Sequence, residues 1–160
     1  MPIDAKEFRR LLGHFAAGVT IITTTGKDAK PYGLTATAFC SVSLDPPLVL
    51  ICVDKKAESH LHVEASGSFA VNLLTQQQID LSNRFAKSGG DKFEGIDWKR
   101  GSLDLPLLPG ALAHLECRSA NVIDAGDHTI FLGRVEAGSI VGGEPLLHFN
   151  GAYRALMAAR

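Results

Sequence analysis

A chain of 160 residues, 46% apolar and 21% charged, can bury one core, and its composition excludes a disordered protein. Sixteen Lys and Arg stand against 17 Asp and Glu with no basic stripe, so nucleic acid is not an expected partner. No apolar run approaches the ~20 residues of a membrane span, the first residues do not read as a signal peptide, and Cys40, Cys52 and Cys117 are widely spaced in apolar stretches, as reduced core thiols of a cytoplasmic protein would be.

Asp4 followed by Glu7 predicts a capped helix start. Phe8, Leu11, Leu12, Phe15 and Ala16 then form one apolar stripe, with Gly18 as the stop. The β-branched run from Val19 to Thr25 predicts a strand. After a polar turn over Gly26–Lys30, a second strand is expected from Tyr32 to Ser43. Pro46-Pro47 must break regular structure. Leu48 to Val53 is continuously apolar and predicts a strand buried on both faces.

Lys55–Ala65 reads as a short helix, Phe69–Leu74 as a strand and Gln76–Phe85 as a helix. Ser88–Pro109, rich in Gly, Asp and Pro, predicts a long loop of the kind used as a lid or binding loop. Ala111–Ile123 and Thr129–Ile140 predict a long hairpin turning at Asp124–His128, and Leu146–Phe149 a last strand. With no repeat or linker, residues 1–160 read as one domain. Six or seven strands with few helices predict a mainly β fold, a closed or nearly closed antiparallel barrel with the helices at its ends.

The chain has no G-x-G-x-x-G, no Walker A loop, no G-x-S-x-G elbow and no C-x-x-C, so those chemistries are not signalled. His60 and His62 would point about 200° apart on a helix, which does not suit one metal ion, and no metal site is expected. Gly33–Ser43 mixes small and hydroxyl side chains. It reads equally as a close strand–helix contact or as a floor for a flat ligand that pairs with strand N–H and C=O groups. Asp54–His60 enters a helix with lysines and a hydroxyl, a candidate phosphate cradle or simply a solvated turn. His128 in the hairpin and Tyr153-Arg154 near the end are candidate ring or phosphate contacts, with exposure or packing as the plainer readings.

Taken together, Phe15–Thr23, Gly33–Leu50, Phe69–Leu74, Gly126-Asp127-His128 and Gly151–Arg154 resemble, in order and over about 140 residues, the short-chain flavin reductase family with its flavin-binding split barrel. The resemblance implies a Greek-key-like split β-barrel of six to seven antiparallel strands. It implies a homodimer that passes a hydride from NADH or NADPH to the N5 of FMN or FAD and supplies reduced flavin to a partner monooxygenase. It places Thr35, Ala36, Thr37, Ala38, Ser41, Val42 and Ser43 along the flavin, with Cys52 and Val53 closing the strand beside it. Lys56, Ser59 and His60 would fall near the phosphate. Phe85 and Tyr153, the latter of this chain or of its partner, would flank the ring. His128 would sit at the nicotinamide side as a positioning group or proton relay. Many relatives carry Asn-Ser where this chain has Thr37-Ala38. Other enzymes of the same barrel, a flavin-binding sensor without turnover and a cofactor-free barrel remain competing readings.

Overall fold

The computed structural model describes residues 2–159; the first and last residues of the expected 1–160 domain lie outside them. Helix α1 (Ala5–Leu12) begins at the expected cap, with Asp4 Oδ1 accepting the Glu7 N–H at 2.8 Å. Glu7 does not close the capping box, because its carboxylate takes two bonds from the Arg10 guanidinium at 2.7 and 2.8 Å. The helix ends at Leu12, not at Gly18: Gly13 caps it, and the Gly13 carbonyl accepts the Asn150 N–H at 2.7 Å. Ala17–Gly18 instead form a short strand, β1.

The chain continues through β2 (Thr20–Thr25), β3 (Pro31–Ala36), β4 (Phe39–Leu44) and β5 (Pro47–Asp54) into α2 (Glu58–Ser66). Strand β6 (Ser68–Leu73) and a 3-10 turn at Gln76–Gln78 precede α3 (Ile79–Ala86). Two short strands, β7 (Lys99–Arg100) and β8 (Pro106–Leu107), punctuate the long loop. The hairpin β9 (Ala113–Ala125) and β10 (His128–Ile140) follows, then β11 (Leu147–Phe149) and β12 (Ala152–Arg154).

Seven strands make one antiparallel sheet in the order β3-β2-β6-β9-β10-β5-β4. Its edge strands, β3 and β4, are consecutive in the chain and joined only by Thr37-Ala38. The single strand expected over residues 32–43 is therefore two strands on opposite edges. A link of two residues makes the sheet curl until these strand ends come together at the seam, where the Ala38 carbonyl extends the β4–β5 ladder by accepting the Cys52 N–H at 3.1 Å. A smaller sheet, β1-β11-β12, lies beside it.

Strand β2 is buried on both faces, and its adjacent isoleucines serve two cores. Ile22 joins Val49, Ile51, Phe69 and Phe131 inside the barrel, and Ile21 joins Phe85, Phe93 and Leu108 outside it. Its threonines donate to backbone carbonyls: Thr20 to Ala36, Thr24 to Ser68, and Thr23 and Thr25 to Pro106 and Asp104 of the long loop. Strand β5 departs from expectation. Val49, Ile51 and Val53 are buried, but Leu48, Leu50 and Cys52 are half-exposed on the other face, because α2 and α3 do not cover that side. Of the three free thiols only Cys117 is fully buried, and burial pushes it up to about 12; Cys40, on the edge strand β4, is exposed.

Candidate functional site

The end of β5 and the start of α2 build the centre of the site. Asp54 Oδ1 accepts the Lys56 N–H at 2.8 Å and its carbonyl accepts the Ala57 N–H at 2.9 Å, a tight turn that delivers the chain into α2. Ala57 stands at the helix cap with no side-chain acceptor, so the first N–H groups of α2 are left open to an outside anion.

Gly33 lies opposite. Its carbonyl accepts the buried Ser59 hydroxyl at 2.8 Å and the Lys92 ammonium at 3.2 Å. Lys92 also donates to the Phe85 carbonyl at 3.3 Å. Burial holds its ammonium below the ordinary lysine range, with Glu58 opposing that shift. A β-carbon on Gly33 would stand 2.9 Å from both the Ile22 carbonyl and the Phe85 ring, so the close approach of β2, β3 and α3 requires glycine here.

Two clefts open on this junction. The smaller, about 270 Å³, lies between Thr35, Asp54, Lys56, Ser59, Phe85 and Lys87. The larger, about 530 Å³, runs from Ser59 and Lys92 past Tyr32 to Phe93 and Trp98. Glu58, Ser59 and Lys92 line both.

The structure brings Thr35, Lys56, Ser59 and Phe85 to the smaller cleft. The Thr35 hydroxyl is spent on the Ser82 carbonyl, 2.6 Å away, which fastens β3 to α3. Ala36 is buried, while Thr37 and Ala38 are exposed at the seam. Ser41 and Val42 are exposed on β4 around a bulge, and Ser43 is half-buried. These residues and half-exposed Cys52 belong to the paired strands β4 and β5 and the seam beside them.

Four candidates pack against other parts of this chain. Val53 faces the barrel core. His60 is buried, its Nε2 2.8 Å from the Thr129 hydroxyl and its ring edge-on to Phe131, while His62 stacks on Tyr32 at 3.4 Å. Phe85 is 1% exposed and packs edge-to-face on Phe93. Tyr153 docks on its own α3, with its hydroxyl 2.8 Å from Ser82 Oγ and 3.0 Å from Asn83 Oδ1.

His128 pairs across the ladder with Asp54, so it stands beside the smaller cleft. Its Nδ1 is 2.8 Å from Asp127 Oδ1, and this contact holds the Asp127 carboxyl below its usual range. Lys55 anchors the tip by reaching the Asp124 carboxylate and the Gly126 carbonyl. Gly126 has φ +69°, which only a tight turn of this hand needs.

Lys92, Tyr32 and Trp98 were not among the candidates. A Phe, a Trp and a Lys inside an otherwise polar, glycine-rich loop were the available signal. The loop is also no free lid. Phe93, Leu105 and Leu108 are buried, and Arg84 donates to the Asp91 and Glu94 carbonyls at 3.1 and 2.6 Å. Among the described residues, no cluster of three or more His, Cys, Asp or Glu is gathered for a metal, and no helix is long and apolar enough to cross a membrane.

The flavin reductase like domain family matches residues 12–157. The reductase subunit HsaB of a flavin-dependent monooxygenase from Mycobacterium tuberculosis is 44% identical over 157 residues, covering 96% of this chain and 83% of that protein. The FMN reductase (NADH) SmoA of Agrobacterium fabrum is 41% identical over 94% of this chain and 85% of its own. The solved NADH:FAD oxidoreductase SgcE6 of Streptomyces globisporus, in complex with NAD and FAD fragments, superposes with a TM-score of 0.90 at 41% identity, covering 98% of this chain and 97% of that one.

Proposed function

Because this chain belongs to the flavin reductase like family, we propose that its one domain is an NAD(P)H-dependent flavin reductase, taking a hydride from NADH or NADPH and passing it to FMN or FAD. The observation that carries the reading is the smaller cleft, where an uncapped helix start, Lys56 and Lys87 meet the end of β3. That donor set fits a flavin phosphate, and the exposed small and hydroxyl side chains of Thr37, Ala38 and Ser41 fit the ring.

Flavin and nicotinamide supply the redox chemistry when bound, so the protein needs no nucleophile. Its residues bind and orient. The α2 N–H groups and Lys56 hold the phosphate, and half-exposed Leu50 and Cys52 of β5 offer an apolar surface to the ring. His128, set by Asp127, positions the nicotinamide or carries a proton at Nε2. Relatives named as reductase subunits of monooxygenases support a monooxygenase as the acceptor of reduced flavin. A homodimer is supported by α1, which buries none of its side chains, and a cytoplasmic location by three free cysteines.

The test is NADH oxidation by purified protein with and without FMN or FAD. Saturable turnover that depends on free flavin is expected; bound flavin without turnover, under NADH and NADPH alike, would sink the reading in favour of a sensor. In the same assay His128→Ala should raise the nicotinamide KM or lower kcat by about tenfold, the worth of one hydrogen bond. Flavin affinity should be unmoved, and an unchanged turnover would remove His128 from the site.

A further inference from the structure

The larger cleft has no task in the reading above, which uses only the smaller one. It holds about 530 Å³, within the ~300–1,000 Å³ of small-molecule sites. Its lining is unusual for this chain, gathering the single Trp, Trp98, and one of the two Tyr, Tyr32, with Phe93 beside them. Tyr32 has one face stacked on His62, and Trp98 lies under the Arg100 guanidinium at 5.5 Å and edge-on to Phe93. Such fixed rings make a platform for a planar heterocycle.

Charge narrows the occupant. Lys30 and Lys92 are balanced by Glu58 and Asp91, so the cleft suits a neutral, hydroxyl-bearing group better than a terminal phosphate dianion. The exception is the mouth shared with the smaller cleft, where half-buried Lys92 is held by two carbonyls and, among the described residues, by no carboxylate. Lys92 offers a cation where a ligand spanning both clefts would have to carry its negative charge.

We infer that the larger cleft receives the adenosine half of FAD, with the diphosphate crossing at Lys92, so that this protein takes FAD in preference to FMN. The inference rests on the reductase reading and adds its flavin specificity. Stacking of one base on an aromatic platform is worth about tenfold or more in affinity.

The experiment compares KM for FAD and FMN in the intact protein, then repeats the comparison in Trp98→Ala and Lys92→Met, with AMP as a competitor of the wild type. The expected result is a KM for FAD about tenfold or more below that for FMN. Both variants should narrow the ratio, and AMP should compete with FAD while leaving the NADH KM in place. Because AMP inhibition needs no variant, the test survives misfolding of Trp98→Ala. Equal KM values for the two flavins, or AMP that competes with NADH and not with FAD, overturn the adenosine assignment and leave the reductase standing. If neither flavin is reduced, the reductase reading falls and takes this one with it.

Discussion

At the scale of single residues, the site depends on a glycine with no chemistry of its own. Gly33 lets Phe85 lie against β3 and gives one carbonyl to both Ser59 and Lys92. Gly33→Ala should cost about 1–3 kcal/mol, since backbone on one side and a core ring on the other leave the new methyl nowhere to go. Urea unfolding measures it, and an unchanged midpoint would mean that β3 and α3 separate freely. Cys117 gives a second prediction. Its folded pKa is raised from 9.0 to about 12, so the unfolded thiol ionises first. The stability it contributes is complete below about pH 9 and is lost as pH rises towards 12. Replacing Cys117 by Ala should flatten the urea midpoint across that window, and an equally steep decline in the variant would refute the assignment.

At the scale of elements, periodicity made most strands legible, because β-branched runs and turn residues fix strands locally. The hairpin from 113 to 140 was nearly complete in the sequence. What escaped were features decided by partners far along the chain. Nothing local divides residues 32–43, since Thr37 and Ala38 are no breakers; only pairing of β3 with β2 and of β4 with β5 splits them. The helix start carrying Lys56 and Ser59 could be read from a strand running into a helix, whereas His60 turned inward because its partner, Thr129, lies 69 residues away. The hairpin tip offers its own test. Lys55 grips Asp124 and Gly126, and its N–H donates to the Asp127 carbonyl. Lys55→Met should leave global stability nearly unchanged while amide exchange at residues 125–128 quickens by about tenfold. Equal exchange would show that the turn holds itself.

At the scale of the whole molecule, the apolar stripe that predicted α1 is present but faces outward: Phe8, Leu11 and Leu12 are each about half-exposed, and Phe15 more so. Monomers seldom leave such a contiguous patch bare. Phe8→Glu with Leu12→Glu should halve the mass seen by light scattering if this face joins two copies, and an unaltered mass would move the contact elsewhere.

The seam at Thr37-Ala38 has a mechanical meaning. Two residues are the only covalent tether between the two margins of a seven-strand ribbon rolled into a cylinder. A nick there would spare every rung between neighbouring strands and leave closure to the side chains packed inside the cylinder. New chain ends introduced by circular permutation at this point would therefore ask whether that packing alone keeps the tube shut, whereas the same cut at Gly126 would keep the tether.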